Sequence, residues 1–363
     1  MRLIVQKFGG TSVADAERIH RAARRAIKAK LDGAQVVIVV SAMGHTTDEL
    51  LALSAEVSPN PPKRELDMLL TTGEQVSIAL MAMAIHAAGH EAISLTGAQL
   101  GLFTDSAHTK ARIQSISRQR LDQELASGKI VIVAGFQGID QAGELTTLGR
   151  GASDTTAAAL AAVLNADVCE IYTDVDGVYT SDPRIVPQAR KIPRISYDEM
   201  LEMAAAGAGV MHSRAIEFGK KYGVPLHVRS SLTDVEGTMI TQESEGMEAI
   251  TVRGVTLKDD IATVVLIGVP NHPGVAAGIF AEVAQHNVLV DDIMQNIYEH
   301  GRVANIGFST TAGDLAEARA ICERIAQESG FKGVEVDEGL AKVSAVGVGM
   351  RTHTGVAATM FKA

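Results

Sequence analysis

Residues 3–12 read Leu3-Ile4-Val5-Gln6-Lys7-Phe8-Gly9-Gly10-Thr11-Ser12. Aliphatic residues run straight into a glycine pair, which predicts a core strand ending in a tight turn. Adjacent glycines let backbone N–H groups approach an anion closely, and the start of a following helix adds a favourable dipole. Lys7 supplies a point charge suited to β- and γ-phosphates. The plainer reading is a strand-to-helix turn with a surface lysine. The spacing is not that of a Walker A loop. Nor does Gly-x-Gly-x-x-Gly follow Val5, as a dinucleotide-binding oxidoreductase requires.

Outward from this turn, strand and helix patterns alternate. A helix with a basic face is expected from Ala16 to Lys30, and a strand buried on both faces from Val36 to Val40. Next come a helix from Ser77 to Ala88, a strand from Ala92 to Leu95 and a helix from Ile113 to Ala126 stopped at Gly128. A buried strand from Ile130 to Ala134, an Ala-rich helix from Asp154 to Asn165 and a strand from Val168 to Tyr172 complete the series. This βαβ alternation predicts an α/β sandwich around a mainly parallel sheet. The polar stretch 241–247 is the best linker in the chain. Beyond it, strand Val264–Val269, helix Gly274–Gln285, strands Val288–Ile293 and Val303–Phe308 and helix Leu315–Gln327 suggest a ferredoxin-like α+β unit. The segment Gly274–Phe280 is echoed by Gly355–Phe361, which predicts two such units.

Composition bounds the function. The chain has 363 residues, 46% hydrophobic and 21% charged, which fits a globular protein. At about 100–200 residues per domain it holds two or three domains. A net charge of -10, no Lys/Arg block, no Trp and 4% aromatic residues argue against a nucleic-acid partner. The longest apolar runs, Val36–Val40, Ile78–Ile85 and Ile130–Ala134, are too short to span a membrane, and the N-terminal run is too short for a signal peptide. The two cysteines, Cys169 and Cys322, give no disulfide or metal framework. A cytoplasmic protein without a metal bound by its own side chains is expected.

Three further motifs carry chemistry. Gly135-Phe136-Gln137-Gly138 follows a buried strand. Thr147-Leu148-Gly149-Arg150-Gly151-Ala152-Ser153-Asp154 leads into a helix, so its amides point at whatever sits at that N-terminus. Arg150 has the fork to grip a carboxylate, and Asp154 serves either the helix start or the reacting groups. Thr173-Asp174-Val175-Asp176-Gly177-Val178-Tyr179, then Asp182-Pro183-Arg184, lacks the ligands of an EF-hand. Tyr179 and Arg184 fit better as contacts to a nucleotide base and phosphate.

Taken in order with Val39-Val40-Ser41-Ala42-Met43, these motifs resemble the aspartate kinase family of the amino-acid kinase superfamily, over residues 1–363. The resemblance implies an amino-acid kinase α/β/α sandwich over 1–246, followed by ferredoxin-like ACT units. The first ACT domain is expected over 260–334. The second, apparently incomplete, is expected over 247–259 plus 335–363. The implied reaction moves the γ-phosphoryl of ATP, with Mg2+, to the β-carboxylate of L-aspartate, giving 4-phospho-L-aspartate and ADP. It opens lysine, threonine and methionine biosynthesis, with lysine, threonine or both as inhibitors.

By the same resemblance, Lys7, Gly9, Gly10 and Ser12 cradle the phosphates, and Lys7 and Asp154 are catalytic. Ser41, Thr47, Glu74, Arg150 and Ser153 belong to the substrate side. Thr173, Asp174, Tyr179 and Arg184 hold the nucleotide. Asn271, Pro273, Gly274, Gln295 and Asn296 hold the effector. Ala152 replaces a family glycine and Gly209 a frequent lysine. A homo-oligomer, dimer or higher, through the ACT units is implied. The truncated repeat leads us to expect missing C-terminal elements, or a partner chain that supplies them, with Met247 as a possible start of a separate regulatory subunit. The competing readings are another amino-acid kinase, acting on acetylglutamate or carbamate, and a non-catalytic amino-acid sensor. Intact Lys7, Glu74, Arg150 and Asp154 count against the sensor.

Overall fold

The computed structural model describes residues 2–149, 151–242, 252–286, 288–298, 300–347 and 355–362. The chain forms two compact units, Met1–Val255 with Ala345–Ala363, and Thr256–Ser344. In the first, β1 (Leu3–Phe8), α1 (Ala16–Leu31), β2 (Gln35–Val40), α2 (Thr46–Val57), α3 (Lys63–Ala87), β3 (Ala92–Leu95), α4 (Gly97–Leu100), β4 (Leu102–Thr104) and β5 (Ile113–Ile116) follow in order. Next are α5 (Gln119–Ala126), β6 (Ile130–Ala134), β7 (Gln137–Ile139), β8 (Leu145–Thr147), α6 (Ser153–Leu164) and β9 (Val168–Thr173). The unit continues with β10 (Arg194–Ser196), α7 (Tyr197–Ala205), α8 (Ser213–Tyr222), β11 (Leu226–Ser230) and β12 (Thr238–Thr241).

The main sheet has the order β10-β12-β11-β9-β1-β2-β6-β3, and its described pairs are parallel except β11 with β12. Strand alternation sorts its side chains. Val5, Val37, Val39, Val131 and Val133 pack toward α6. Ile4, Phe8, Val36, Ile38 and Ile132 pack toward α1 and α3. The expected sandwich with a mainly parallel sheet is therefore what forms. A second, four-stranded sheet has the order β5-β4-β7-β8.

In the second unit, β13 (Gly254–Pro270), α9 (Val275–Gln285), β14 (Ile293–Tyr298), β15 (Val303–Thr310), α10 (Leu315–Ser329) and β16 (Gly333–Val346) give the order βαββαβ and a sheet β14-β15-β13-β16. That is the ferredoxin-like arrangement. The strand β16 begins before residue 335, so much of the stretch expected in a second ACT domain supplies the fourth strand of this sheet. A short helix α11 (Val356–Met360) matches the second copy of the repeat. Residues 243–251 and 348–354, and with them Met247, lie outside the described residues.

Three expected elements differ. The helix expected from Ser77 begins at Lys63, because Gly73 does not break it. A Cβ there would lie 2.8 Å from the Ala42 Cβ, so the glycine marks close packing, not a terminus. The helix expected over 113–126 is the strand β5, paired antiparallel with β4, and then the shorter α5. The spacing of Ile113 and Ile116 imitates a helix turn. The strand expected over 288–293 starts only at Ile293. Val288 is a core residue before the Asp291–Asp292 turn, whose backbone bonds Ser309.

Continuity also makes α3 long and apolar enough to cross a membrane by length and composition, contrary to the reading of short runs. It instead buries Leu70, Ile78, Met81 and Ile85 in the fold, together with the carboxylates of Asp67 and Glu74.

Candidate functional site

The site collects at the carboxyl ends of β1, β2, β6 and β9, where parallel sheets place their binding crevices. Lys7 is the penultimate residue of β1, and its strand phase aims it at the face covered by α6. There its Nζ lies 2.7 Å from Oδ1 of Asp154, in the first turn of α6. Both side chains are nearly buried, at 12% and 8% exposure, so the pair acts in low dielectric. The other Asp154 oxygen, Oδ2, accepts the His212 N–H at 3.2 Å. Desolvation holds the His212 imidazole below its usual range.

Around this pair the backbone comes unusually close. A Cβ on Gly9 would lie 3.3 Å from the Lys7 Nζ, and one on Gly10 would lie 2.9 Å from the carbonyl oxygens of both Ala42 and Gly44. A Cβ on Gly135 would lie 2.6 Å from the Ser153 hydroxyl. The turn at 9–13 is fixed by Gly9 N–H donating to the Tyr172 carbonyl and by Ser12, whose hydroxyl donates to the same oxygen at 3.4 Å. Ser41 follows β2, half-buried, with its N–H on the Phe8 carbonyl.

Glu74 is the second charged centre. It lies in mid-α3 and is 3% exposed. Its Oε1 accepts the Ala42 N–H at 3.0 Å, while Oε2 meets no hydrogen-bond partner among the described residues. Burial raises its pKa to about 7, against the opposing Ala42 hydrogen bond. Ala42 thus touches both the Gly10 backbone and the Glu74 carboxylate, which ties the glycine turn to this acid.

Other expected residues are placed less centrally. Thr47 lies half-buried in the first turn of α2. Thr173 ends β9, its hydroxyl donating to Asp174 Oδ1 at 3.1 Å. Tyr179 donates to Asp176 Oδ1 at 2.8 Å. Arg184 folds onto Asp182, with Nη2–Oδ2 at 2.6 Å, and stays largely exposed. Thr173 at the end of β9 and Asp174, Tyr179 and Arg184 in the loop after it share no hydrogen bond or ion pair with Lys7 or Glu74 among the described residues. Arg150 lies outside the described residues. Gly209 has open space around it, and Ala152 is buried where α6 begins.

In the second unit Asn271, half-buried, accepts the Gln295 side-chain N–H at 3.1 Å and donates to the Gly301 carbonyl at 2.8 Å. Pro273 and Gly274 are exposed before α9, with Gly274 at φ +96°. Gln295 and Asn296 lie within β14, not after a strand as expected.

Sequence reasoning missed Asp67, Arg214 and the role of His212. Asp67 lies seven residues before Glu74 on the same helix face, a signal readable only once α3 is begun at Lys63. His212 and Arg214 carried no local signal, since their contacts cross from α8 to distant turns.

No group of three or more His, Cys, Asp or Glu side chains suited to a metal occurs among the described residues. A magnesium ion would therefore rely on phosphate oxygens, with Asp154 as the carboxylate nearest the lysine. Asp154 Oδ1 is buried and, though close to Lys7, makes no hydrogen bond of good geometry, which fits such a role.

Residues 2–230 match the amino acid kinase family. The aspartokinase of Bacillus sp. strain MGA3 is 53% identical, over all of this chain and 88% of its own length. Among solved structures, Escherichia coli aspartokinase III in complex with aspartate and ADP superposes with a TM-score of 0.85 at 27% identity, covering 99% of this chain and 91% of that one. The same enzyme in complex with lysine and aspartate gives 0.75 at 26% identity, covering 95% and 87%.

Proposed function

The chain belongs to the amino acid kinase family and is an aspartate kinase, and from that premise we propose how its own residues divide the work. The reaction carries the γ-phosphoryl of ATP to a carboxylate of aspartate. An oxygen of the β-carboxylate attacks the γ-phosphorus, the bond to the β,γ-bridging oxygen breaks, and ADP leaves with that electron pair. A carboxylate is already ionised at pH 7, so no general base is required. What the protein supplies is alignment and charge.

Lys7 meets the transferring phosphoryl group beside the Gly9-Gly10 turn, where a Cβ on Gly9 would crowd the Lys7 Nζ and one on Gly10 the Ala42 and Gly44 carbonyls. The Gly9 N–H is held by the Tyr172 carbonyl, which leaves the Gly10 N–H to face the phosphates. Asp154 holds the Lys7 ammonium from the start of α6. Bound Mg2+ supplies charge neutralisation across the phosphates. Ser12 fixes the glycine turn through the Tyr172 carbonyl. Ser41, Thr47 and Ser153 lie on the acceptor side, and Arg150 carries the acceptor's α-carboxylate. Thr173, Asp174, Tyr179 and Arg184 form a nucleotide shelf on the loop after β9, where Tyr179 and Arg184 exchange their present carboxylate partners for ATP.

The observation that carries this reading is Glu74. A buried carboxylate with one oxygen partnered by backbone and the other without a partner is a socket for a cation. The α-ammonium of an amino-acid acceptor fits it; acetylglutamate, whose amine is capped, does not. Asn271, Pro273, Gly274, Gln295 and Asn296 receive lysine, threonine or both, in a homo-oligomer joined through the ACT units. The work is done in the cytoplasm, where ATP and aspartate are held.

The test is a hydroxamate assay with ATP and Mg2+, offering L-aspartate, L-glutamate and acetylglutamate. Turnover confined to aspartate is expected. Equal rates with glutamate would show that the site does not set the distance between ammonium and reacting carboxylate.

A further inference from the structure

Seven residues before Glu74, on the same face of α3, a second carboxylate is wholly enclosed. Asp67 is 0% exposed and accepts four hydrogen bonds. Nδ1 of His108 lies 2.8 Å from Oδ2. The Thr109 N–H is shared between Oδ1 at 3.1 Å and Oδ2 at 3.0 Å. The Thr147 hydroxyl donates to Oδ1 at 2.6 Å. Its surroundings are otherwise apolar: Leu70, one turn on, packs with Ala111, Phe136, Leu148 and Ala152. Burying an ion there is unfavourable unless its donors are held in place, so the carboxylate and the loop 105–111 fix one another. Thr109 adopts φ +70°, a conformation that a threonine holds only when its surroundings impose it.

The clamp reaches the crevice through backbone. Ala111 N–H donates to the Thr147 carbonyl at 2.9 Å, and Leu148 N–H to the Phe136 carbonyl at 2.9 Å. Arg214 grips the same turn from α8, with Nη1 on the Leu148 carbonyl at 2.7 Å and Nη2 on the Ala111 carbonyl at 3.3 Å. One step further, the Gly149 carbonyl accepts the Ala152 N–H at 3.2 Å, directly before Ser153 and Asp154. Thr147 closes the β7–β8 ladder opposite Gln137, and residues 148–149 run on past it outside any helix, so these contacts hold the chain where the ladder ends.

We propose that Asp67 is a positioning residue for the aspartate pocket: through His108, Thr109 and Thr147 it locks the 147–149 turn that sets the entry of α6. One rigid helix then fixes both sides of the acceptor, Glu74 directly and the Ser153 side through this turn. Misplacing the turn affects the acceptor more than the nucleotide, whose shelf lies on the loop after β9. The inference rests on the assignment of Ser153 to the acceptor side.

The experiment is steady-state kinetics of Asp67→Asn, Thr147→Val and Thr147→Ser in the full chain, with each substrate varied in turn and thermal unfolding recorded alongside. The expected result is a rise of about tenfold in the aspartate KM for T147V, larger for D67N, with the ATP KM within twofold. T147S, which keeps the hydroxyl, restores the parent value. An unshifted aspartate KM in folded T147V overturns the proposal, as does an equal rise in both KM values, which would mean general loosening. If D67N does not fold, the threonine pair decides alone. A parent enzyme that fails to use aspartate sinks the functional reading itself. An active parent with unshifted variants sinks only this inference.

Discussion

The crevice of the first unit and the Asn271–Gly274 turn of the second are built from opposite materials. In the crevice, charge is buried and fixed: Lys7 against Asp154 at 2.7 Å, Glu74 against the Ala42 amide, Asp67 under three donors. In the second unit the turn is largely exposed and held by neutral amides, Gln295 to Asn271 and Asn271 to Gly301. Stabilising a transferring phosphoryl group requires dipoles and charges that need no rearrangement when charge develops. A regulatory ligand requires instead a surface whose contacts to it differ between two states, since only differential affinity shifts a population. Burial thus separates the two proposed sites more clearly than residue type does.

The largest effect that can break this comparison is expected at Lys7. Replacing Lys7 with Met leaves Asp154 buried without its counter-charge. Breaking a buried pair from one side destabilises by about 3–5 kcal/mol. Loss of a charge aimed at the transition state lowers kcat by about 10²–10³. Activity at saturating ATP and aspartate, read with thermal unfolding, separates the two. The double variant Lys7→Met/Asp154→Asn should recover stability but not rate. Recovery of rate with stability would reduce the pair to a structural prop.

Glu74 sharpens the comparison through pH. Its folded pKa of about 7 stands above the ordinary 4.5 because burial penalises the charged form. Below about pH 4.5 the carboxyl is neutral in both states and burial is without penalty. Between 4.5 and 7 the unfolded chain releases its proton while the folded one keeps it, so stability falls as pH rises. Above 7 the loss is constant. Glu74→Gln should therefore unfold at a higher temperature than the parent at pH 8, with the difference vanishing near pH 4. Function runs the other way. The aspartate ammonium needs the ionised form, so the aspartate KM should fall as pH rises through about 7. In the Gln variant that KM should rise by about 10–100-fold and lose its pH dependence, as expected when a charge-assisted hydrogen bond is removed from a buried site. A parent KM that is flat between pH 6 and 8 would contradict the assignment.

A smaller effect tests how tightly the crevice is packed. In Gly135→Ala the new methyl would meet the Ser153 hydroxyl at 2.6 Å, its Cβ at 2.7 Å and the Val40 carbonyl at 3.0 Å. With backbone on one side and a helix start on the other, neither neighbour yields easily. Overpacking of this kind destabilises by about 1–3 kcal/mol. Unfolding should show that loss, together with a raised aspartate KM from the displaced Ser153. Gly209→Ala, in open space, is the matched control and should change neither.

Much of the first unit was legible because its strands are continuous aliphatic runs: Val36–Val40 and Ile130–Ala134 can be little else than buried parallel strands. Lys7, the glycines and Asp154 stand in local motifs, a Gly pair after a strand and a Gly-rich run before a helix, that could be singled out in the sequence; that Lys7 and Asp154 meet at 2.7 Å is what the fold adds. Elements failed where a local signal had a tertiary explanation. The helix read from Ser77 runs back through Gly73, which is a packing contact with Ala42. Ile113 and Ile116 looked like a helix face and are held in a strand by Leu102–Thr104. Asp67, His212 and Arg214 were invisible because their meaning lies in partners about 40 to 100 residues away, which no spacing rule connects.

The smallest expected effect lies in the second unit. The Gln295 amide donates to Asn271 at 3.1 Å from an exposed strand, and Asn271 in turn spans to Gly301, with its own N–H on the Arg302 carbonyl at 2.8 Å. An exposed neutral hydrogen bond is worth about 0.5–1.5 kcal/mol, so Gln295→Ala should weaken an effector by roughly three- to tenfold and no more. Coupling between effector and active site is reciprocal, so a residue outside the crevice that touches only the effector shifts the inhibition curve without moving the uninhibited kcat. Titrating lysine, threonine and both together against parent and variant, at fixed ATP and aspartate, reads this directly. A shift in the half-inhibiting concentration with an unchanged starting rate supports the contrast between a rigid crevice and a yielding turn. A variant that loses basal rate in proportion to its lost inhibition would show Gln295 to be part of the active state's own framework, and the two regions to be less different in kind than their burial suggests.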